Sequence, residues 1–310
     1  MNVVRRFGGT MVIARSQALA PALLFASVLA SSTLAHAQAS TGELRDHEST
    51  SRIAVELGYY HWSVGMSEVE LFQPSFYGSF RLAAPTETTF VDLDVAWRAA
   101  GSAGDGSAFR AGNPYVGVRA GMHDRENGFR VRGGLGLTAP LTNLYDDYRG
   151  GLLGDGFVGI FTLALGGAMQ GAWDAWLTVP LNMAVVARGD VEWRQEYFDL
   201  GAEVGFGALL PVEYEGQTGD TTLALQGAAW AAGRPIPELA IGARFQAVMI
   251  APTGEDMDSE GYLALVPFVR GEIGAGFVEG RLVMNLDDPY GFAFDDEGIW
   301  AVYVSGGADF

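Results

Sequence analysis

The chain has 310 residues, a formal net charge of −18, 19 basic residues that are all arginine, 43 glycines and no cysteine. This excludes disulfides, thiolate metal sites and a cysteine nucleophile, and an acidic chain repels polyanions, so nucleic acid is not an expected partner. The glycines follow no collagen period and suit either a loop-rich chain or a β-protein with many tight bends.

The first element is a leader. Residues 1–37 carry Arg5, Arg6 and Arg15 and no acid, then the apolar run Leu19–Ala30, then Ala35-His36-Ala37. A basic head, an apolar centre too short to span a bilayer and a small-x-small exit make a secretory signal peptide. The mature chain then starts near Gln38, and a short segment through residue 51 leads into the first strand. No mature stretch has the roughly 20 apolar residues of a transmembrane helix.

From residue 52 onward the chain alternates apolar with polar or small residues, the period of a strand. Twelve segments follow in order: 52–63, 75–84, 89–99, 113–122, 129–139, 177–188, 198–210, 221–232, 239–250, 262–273, 277–286 and 300–310. Most exceed the five or six residues common in soluble strands and match the nine to eleven of a tilted membrane strand. The connections alternate short and long. Pro85–Thr88, His123–Gly128, Gly189–Tyr197, Gly233–Glu238 and Gly274–Gly276 are short. Val64–Pro74, Ala100–Gly112, Pro140–Trp176, Pro211–Asp220, Ala251–Gly261 and Asp287–Ile299 are long. Short periplasmic turns and longer external loops are the pattern of a transmembrane barrel. Lipid cannot hydrogen-bond a backbone, so a helix-free spanning chain must close its sheet. The expected fold is all-β, a transmembrane antiparallel up-and-down β-barrel over 52–310 with about twelve strands; two more strands in loop 140–176 would make fourteen.

The two registers separate by polarity. Val91, Leu93, Val95, Phe129, Val131, Phe206, Leu263, Leu265 and Val302 fall on the lipid register. Glu56, Arg81, Asp92, Asp94, Arg98, Arg119, Arg130, Arg132, Arg188, Glu203, Arg244, Arg270, Glu272, Glu279 and Arg281 fall on the other, as candidate pore-lining residues. Rings of such charges select solutes in channels. A salt-bridged interior with no open path would place the same residues the same way. Twelve strands lie between the eight that fill their own interior and the sixteen that leave a channel, so conduction depends on the loops.

Three loop or strand-end features are candidate sites. His61 and Ser63 share one face of the first strand, and His is the base a Ser nucleophile needs. The pair resembles the His-x-Ser of outer-membrane phospholipase A and lipid A deacylase families, but Val64 and Gly65 stand where those families carry Asn, and the face is the lipid side. In loop 140–176, Phe157, Phe161, Met169 and Trp173 recur at helical spacing. An apolar helix on an external loop should fold into the barrel mouth as a cover, plug or gate. Glu255, Asp256, Asp258 and Glu260 cluster in one loop, and Asp287, Asp288, Asp295, Asp296 and Glu297 in another. They read as solvated surface that tolerates divalent ions, or as the working face of a non-conducting adhesive barrel. Gly134-x-Gly136-x-x-Ala139 lies inside a strand and is no dinucleotide site. No motif calls for a cofactor or a metal.

The last strand places Trp300, Val302, Val304, Gly306, Ala308 and the terminal Phe310 on one face. It resembles the terminal strand of Gram-negative bacterial outer-membrane β-barrel proteins, which commonly ends in Phe. The resemblance implies outer-membrane localisation and recognition by the outer-membrane assembly machinery, with outer-membrane lipids and lipopolysaccharide as surroundings. The functional expectation is a pore or transporter for a small-molecule solute, constricted by loop 140–176. The alternatives are the Ser63/His61 lipid hydrolase and the structural or adhesive barrel.

Overall fold

The computed structural model describes residues 51–64, 67–103, 108–124, 126–140, 155–212, 220–254, 259–287 and 298–310. The leader and the acids Glu255, Asp256, Asp258, Asp288, Asp295, Asp296 and Glu297 lie outside the described residues.

Twelve strands form the wall. They are β1 (Ser51–Val64), β2 (Ser67–Ala83), β3 (Thr89–Ala103), β5 (Tyr115–Asp124), β6 (Phe129–Thr138), β7 (Asn182–Arg194), β8 (Phe198–Pro211), β9 (Thr222–Ile236), β10 (Leu239–Pro252), β11 (Glu260–Ile273), β12 (Gly276–Asn285) and β13 (Trp300–Asp309). A short strand, β4 (Ala108–Ala111), pairs only with the distal end of β3. Each wall strand is antiparallel to its neighbours, and the first pairs with the last, from Arg52 opposite Asp309 to Tyr59 opposite Val302. The sheet is therefore closed, and no strand edge is left for lipid to meet. The strand count is twelve; loop 140–176 adds none among the described residues.

The outer surface is apolar. Val116, Val118, Leu135, Leu137, Val204, Phe206, Phe245, Val278, Val302 and Val304 are all exposed, a band no water-soluble protein of this kind could carry. Trp193, Tyr197 and Phe310 stand outward at the short-turn end, where a membrane interface favours aromatic rings. The chain is a transmembrane β-barrel of the outer-membrane class.

β3 continues to Ala103 and β9 to Ile236, into stretches read in sequence as connections, and two further boundaries differ more. The stretch Val64–Pro74 is not a long loop: β1 and β2 pair continuously from Ser51–Phe80 to Val64–Ser67. Here Leu71 and Gln73 point inward, nearly fully buried, so the apolar residue is inside. That inversion, with Pro74 giving up one ladder hydrogen bond, hides the strand. At the other boundary, β7 begins at Asn182 and runs to Arg194, so 177–181 is not strand and 189–194 is not turn.

Candidate functional site

The strand ends at the short turns surround a charged lower interior. Arg81 meets Asp92 at 2.5 Å, Arg281 meets Glu56 at 2.5 Å and Arg244 meets Glu203 at 2.5 Å. Arg119 bridges Asp94 and Asp190, the latter at 2.7 Å, and Arg132 reaches the same Asp190 at 2.9 Å. Arg130 pairs with Glu192, and Arg52 with Asp309 at 2.6 Å. Glu272 takes Arg194 at 2.7 Å, Arg234 at 3.0 Å and Arg270 at 3.4 Å. Glu279 shares the inward register of β12 with Arg281. All fifteen residues expected on the polar register are thus on the inner face. A cavity of about 210 Å³ lies among them, lined in part by Arg52, Arg81, Arg119, Arg130, Arg132 and Arg188.

Asp190, Glu192, Arg194 and Arg234 also join this lattice, although sequence reading puts them in turns. The signal was there: Arg188-Gly189-Asp190-Val191-Glu192-Trp193-Arg194 keeps the alternation past Gly189. Glycine looks like a turn residue, but in β7 it is a wall residue.

The upper interior is occupied by the chain itself. Helix α1 (Asp155–Met169) and a 3₁₀ turn (Ala175–Leu177) fold back inside the barrel. Met169 packs with Tyr60, Leu71, Ala264, Val266, Val283, Ala301 and Tyr303. Trp173 packs with Ala228, Val248 and Tyr262, and Trp176 and Leu177 with Tyr115, Ala184, Val186, Leu209 and Ala224. The wall is hollowed to receive them. Ala184, Ala224, Ala264 and Ala301 are at most 1% exposed, and a Cβ on Gly207 would sit 2.8 Å from the Trp176 ring. Large side chains on the insert thus meet small ones on the strands, which is how an interior reaches crystal-like density. Of the four loop residues singled out in sequence, Met169 and Trp173 are both in the lumen; the side chains of Phe157 and Phe161 lie outside the described residues.

A belt of amides ties the insert down. Gln73 donates to the Gly166 carbonyl at 2.5 Å, Gln246 to the Gln170 carbonyl at 2.6 Å and Asn285 to the Ala168 carbonyl at 3.1 Å. Asn113 donates to the carbonyls of Trp176 at 3.2 Å and Val179 at 2.8 Å. Gln170 donates to Glu56 and to Gln73, both at 3.1 Å. These partners come from β1, β2, β10, β12 and the β4–β5 connection, so the insert is held on several sides. Each such buried hydrogen bond contributes about 0.5–1.5 kcal/mol net.

Asp174 stands at the tip of the insert, 2% exposed. Its backbone N–H donates to Gln226 Oε1 at 2.9 Å, and Gln226 Nε2 donates back to its Oδ1 at 2.9 Å. Arg188 lies 3.1 Å from the carboxylate. Arg98, fully buried, donates to the Trp173 carbonyl at 3.0 Å and to the Tyr77 hydroxyl at 2.8 Å, and the Arg244 guanidinium covers the Trp173 ring at 4.1 Å. Burial pushes the Asp174 carboxyl up, but Arg188, Arg98, the Gln226 amide and Arg244 outweigh it and hold it below its usual range. The three non-glycine residues with positive φ among the described residues, Ala172, Asp174 and Leu181, all lie in this insert. Such backbone costs about 1–3 kcal/mol per residue and persists only where the surroundings over-determine it.

His61 is exposed on the outward face of β1; the side chain of Ser63 lies outside the described residues. Of the acidic loops, the carboxylate of Glu260 accepts from the Tyr262 hydroxyl and Asp287 from the Leu263 N–H at 2.9 Å.

No protein-family model and no curated protein matches this sequence. Among solved structures, the COG4313 outer membrane channel from Pseudomonas putida F1 superposes with a TM-score of 0.57 at 9% identity, over 88% of this chain and 100% of that one. The translocator domain of the autotransporter NalP from Neisseria meningitidis gives 0.44 at 12% identity, over 96% and 98%. The transport unit of the autotransporter AIDA-I from Escherichia coli gives 0.45 at 8%, over 92% and 97%. At 9% identity the likeness to the channel is one of fold.

Proposed function

We propose that this barrel is a gated outer-membrane channel for small solutes, closed in the present conformation by the insert 155–181. The observation that carries the reading is the pairing of a charged lower lumen with an upper lumen filled by a loop insert that is not part of the sheet. Buried ion pairs add little stability compared with apolar fill, so a barrel needing only a closed interior gains nothing from nine or more inward arginines. Water and charged walls along a solute path do need them. The stopper is covalently one loop, joined to the wall by side-chain contacts, side-chain amides, the Arg188–Asp174 ion pair and two backbone hydrogen bonds near its end, Asn113 N–H to the Leu177 carbonyl and Val212 N–H to the Leu181 carbonyl, rather than by strand pairing. It can leave without opening the sheet.

Planar-bilayer recording tests this. Gly207→Val puts a side chain where Trp176 sits, 2.8 Å or less from its ring, while a β-branched residue remains at home in a strand. The wild type should stay closed for most of the record and Gly207→Val should open several times more often. Equal open times in a variant whose Trp176 is shown to be displaced would sink the gate.

Acidity gives a second check on the latch. A carboxyl depressed in the folded state contributes its stabilisation above its unfolded value of 3.8 and loses it only as pH falls further, through the folded value. Current should therefore be unchanged between about pH 7 and pH 5. Opening that titrates inside that window would mean some group other than Asp174 holds the insert.

A further inference from the structure

The hydrogen bonds around Asp174 are those a protein makes to a carboxylate ligand. The group is enclosed, it receives an amide donor from Gln226 at 2.9 Å and a guanidinium from Arg188 at 3.1 Å, and the buried Arg98 anchors the residue before it. Arg98 has no carboxylate within salt-bridge distance among the described residues, so its charge is left for the tip of the insert to answer. Two further buried donors, the Tyr115 hydroxyl and the indole N–H of the insert's own Trp176, have no hydrogen-bond partner among the described residues. Both rings flank the Arg188 guanidinium, at 5.7 and 5.8 Å. Tyr115 and Arg188 also line the cavity of about 210 Å³ below the insert. A solute in that cavity is thus already beside Arg188 and the Tyr115 hydroxyl, a donor that the insert does not use.

We infer that the seat of Asp174, built from Arg188, Gln226 and Arg98, is a binding site for small carboxylate anions, which the chain's own aspartate fills while the barrel is closed. The inference rests on the gated-channel reading for what closure means. A carboxylate arriving from the cavity competes for Arg188 and Gln226, and the insert, strained at Ala172 and Asp174, loses the contacts that pay for that backbone. The solute therefore opens its own path. Chloride, a sphere that cannot accept from Arg188 and Gln226 at two separate oxygens, is a weak competitor.

Asp174→Gly tests the site, because glycine accepts the φ of 55° without strain and leaves a carboxylate-sized space. Refolded full-length protein in detergent is titrated with sodium acetate and sodium formate against sodium chloride at equal ionic strength, and tryptophan fluorescence and melting temperature are read. The variant should respond saturably to acetate and formate, with a raised melting temperature, and the wild type should respond only at concentrations at least about ten-fold higher, since the solute must first displace the chain's own aspartate. Adding Arg188→Ala should weaken the acetate response about ten-fold or more, the loss of one charge-assisted hydrogen bond. Asp174→Ser, which leaves room for formate, carries the same measurement if the glycine variant does not refold. No response beyond that of chloride in either variant overturns the site, as does a response that Arg188→Ala leaves intact. Bilayer current from the same samples separates the two readings. Binding without current in any variant keeps the carboxylate site and removes the channel; current without binding does the reverse.

Discussion

Replacing residues 155–177 with a short Gly-Ser linker should turn a mostly closed barrel into one with stable current steps, raising mean current by an order of magnitude or more. The sheet has no need of these residues. β6 pairs along its whole length with β7, from Phe129 opposite Trp193 to Thr138 opposite Ala184, with the insert leaving from above that ladder. Excision removes Leu163, Met169, Trp173, Trp176 and Leu177 from the lumen and leaves a wall of Ala184, Ala224, Ala264, Ala301, Gly205 and Gly207. Those residues cannot close the gap. Each buried large apolar side chain contributes about 1.5–3 kcal/mol, so several together explain why the intact insert leaves its seat only rarely. Twelve strands enclose more space than eight, which fill their own interior, and the emptied upper half then meets the charged cavity below. Heat-modifiable gel mobility establishes that the excised protein is folded. A folded, excised barrel that passes no current would show the lower lattice to be watertight and would end the channel reading.

The second large effect concerns the lipid face. Val204→Arg should destabilise the barrel by about 2–4 kcal/mol in bilayers. Val204 is 61% exposed at the middle of β8 and faces outward, with Gly205 and Glu203 on the other register. An arginine there must carry its charge into hydrocarbon or bend toward the interface. Ile273→Arg is the control. That residue is 70% exposed but adjoins the turn at Gly274, at the barrel's rim, where the cost falls to about 0–1 kcal/mol. Denaturant titration of both variants in lipid vesicles gives the difference directly. Equal costs would mean that the middle of β8 does not sit in the bilayer core.

The inner lattice was legible wherever the alternation ran unbroken. Asp92 and Asp94 on β3, Arg130 and Arg132 on β6, and Arg270 and Glu272 on β11 each sit two apart between apolar residues, and each lies inside. Asp190, Glu192 and Arg194 were missed because Gly189 mimics a turn. The upper half of β2 was missed for a different reason. Above the charged layer the lumen is lined by Leu71, Ala264 and Tyr303, so the inside is apolar there and the polarity rule reverses. Asp174 was not legible at all. On its own it is one aspartate beside a tryptophan in a loop, and nothing local distinguishes it.

Class and closure follow from the sequence alone, because a period of two sorts every strand residue onto one of two faces and the bilayer punishes any other arrangement; the choice of twelve strands over fourteen waited for the structure, which puts a helix in loop 140–176. The inward charges follow from the same rule, which acts one residue at a time. What fills the upper lumen does not. It depends on side chains from β1, β2, β3, β7, β8, β9, β10 and β12 converging on one loop, contacts that join residues as far apart as Glu56, Gln170 and Arg281. The alanines and glycines opposite Trp173 and Trp176 record that partnership, but a small residue on a strand has many possible causes, and only the closed barrel brings these ones to face the insert.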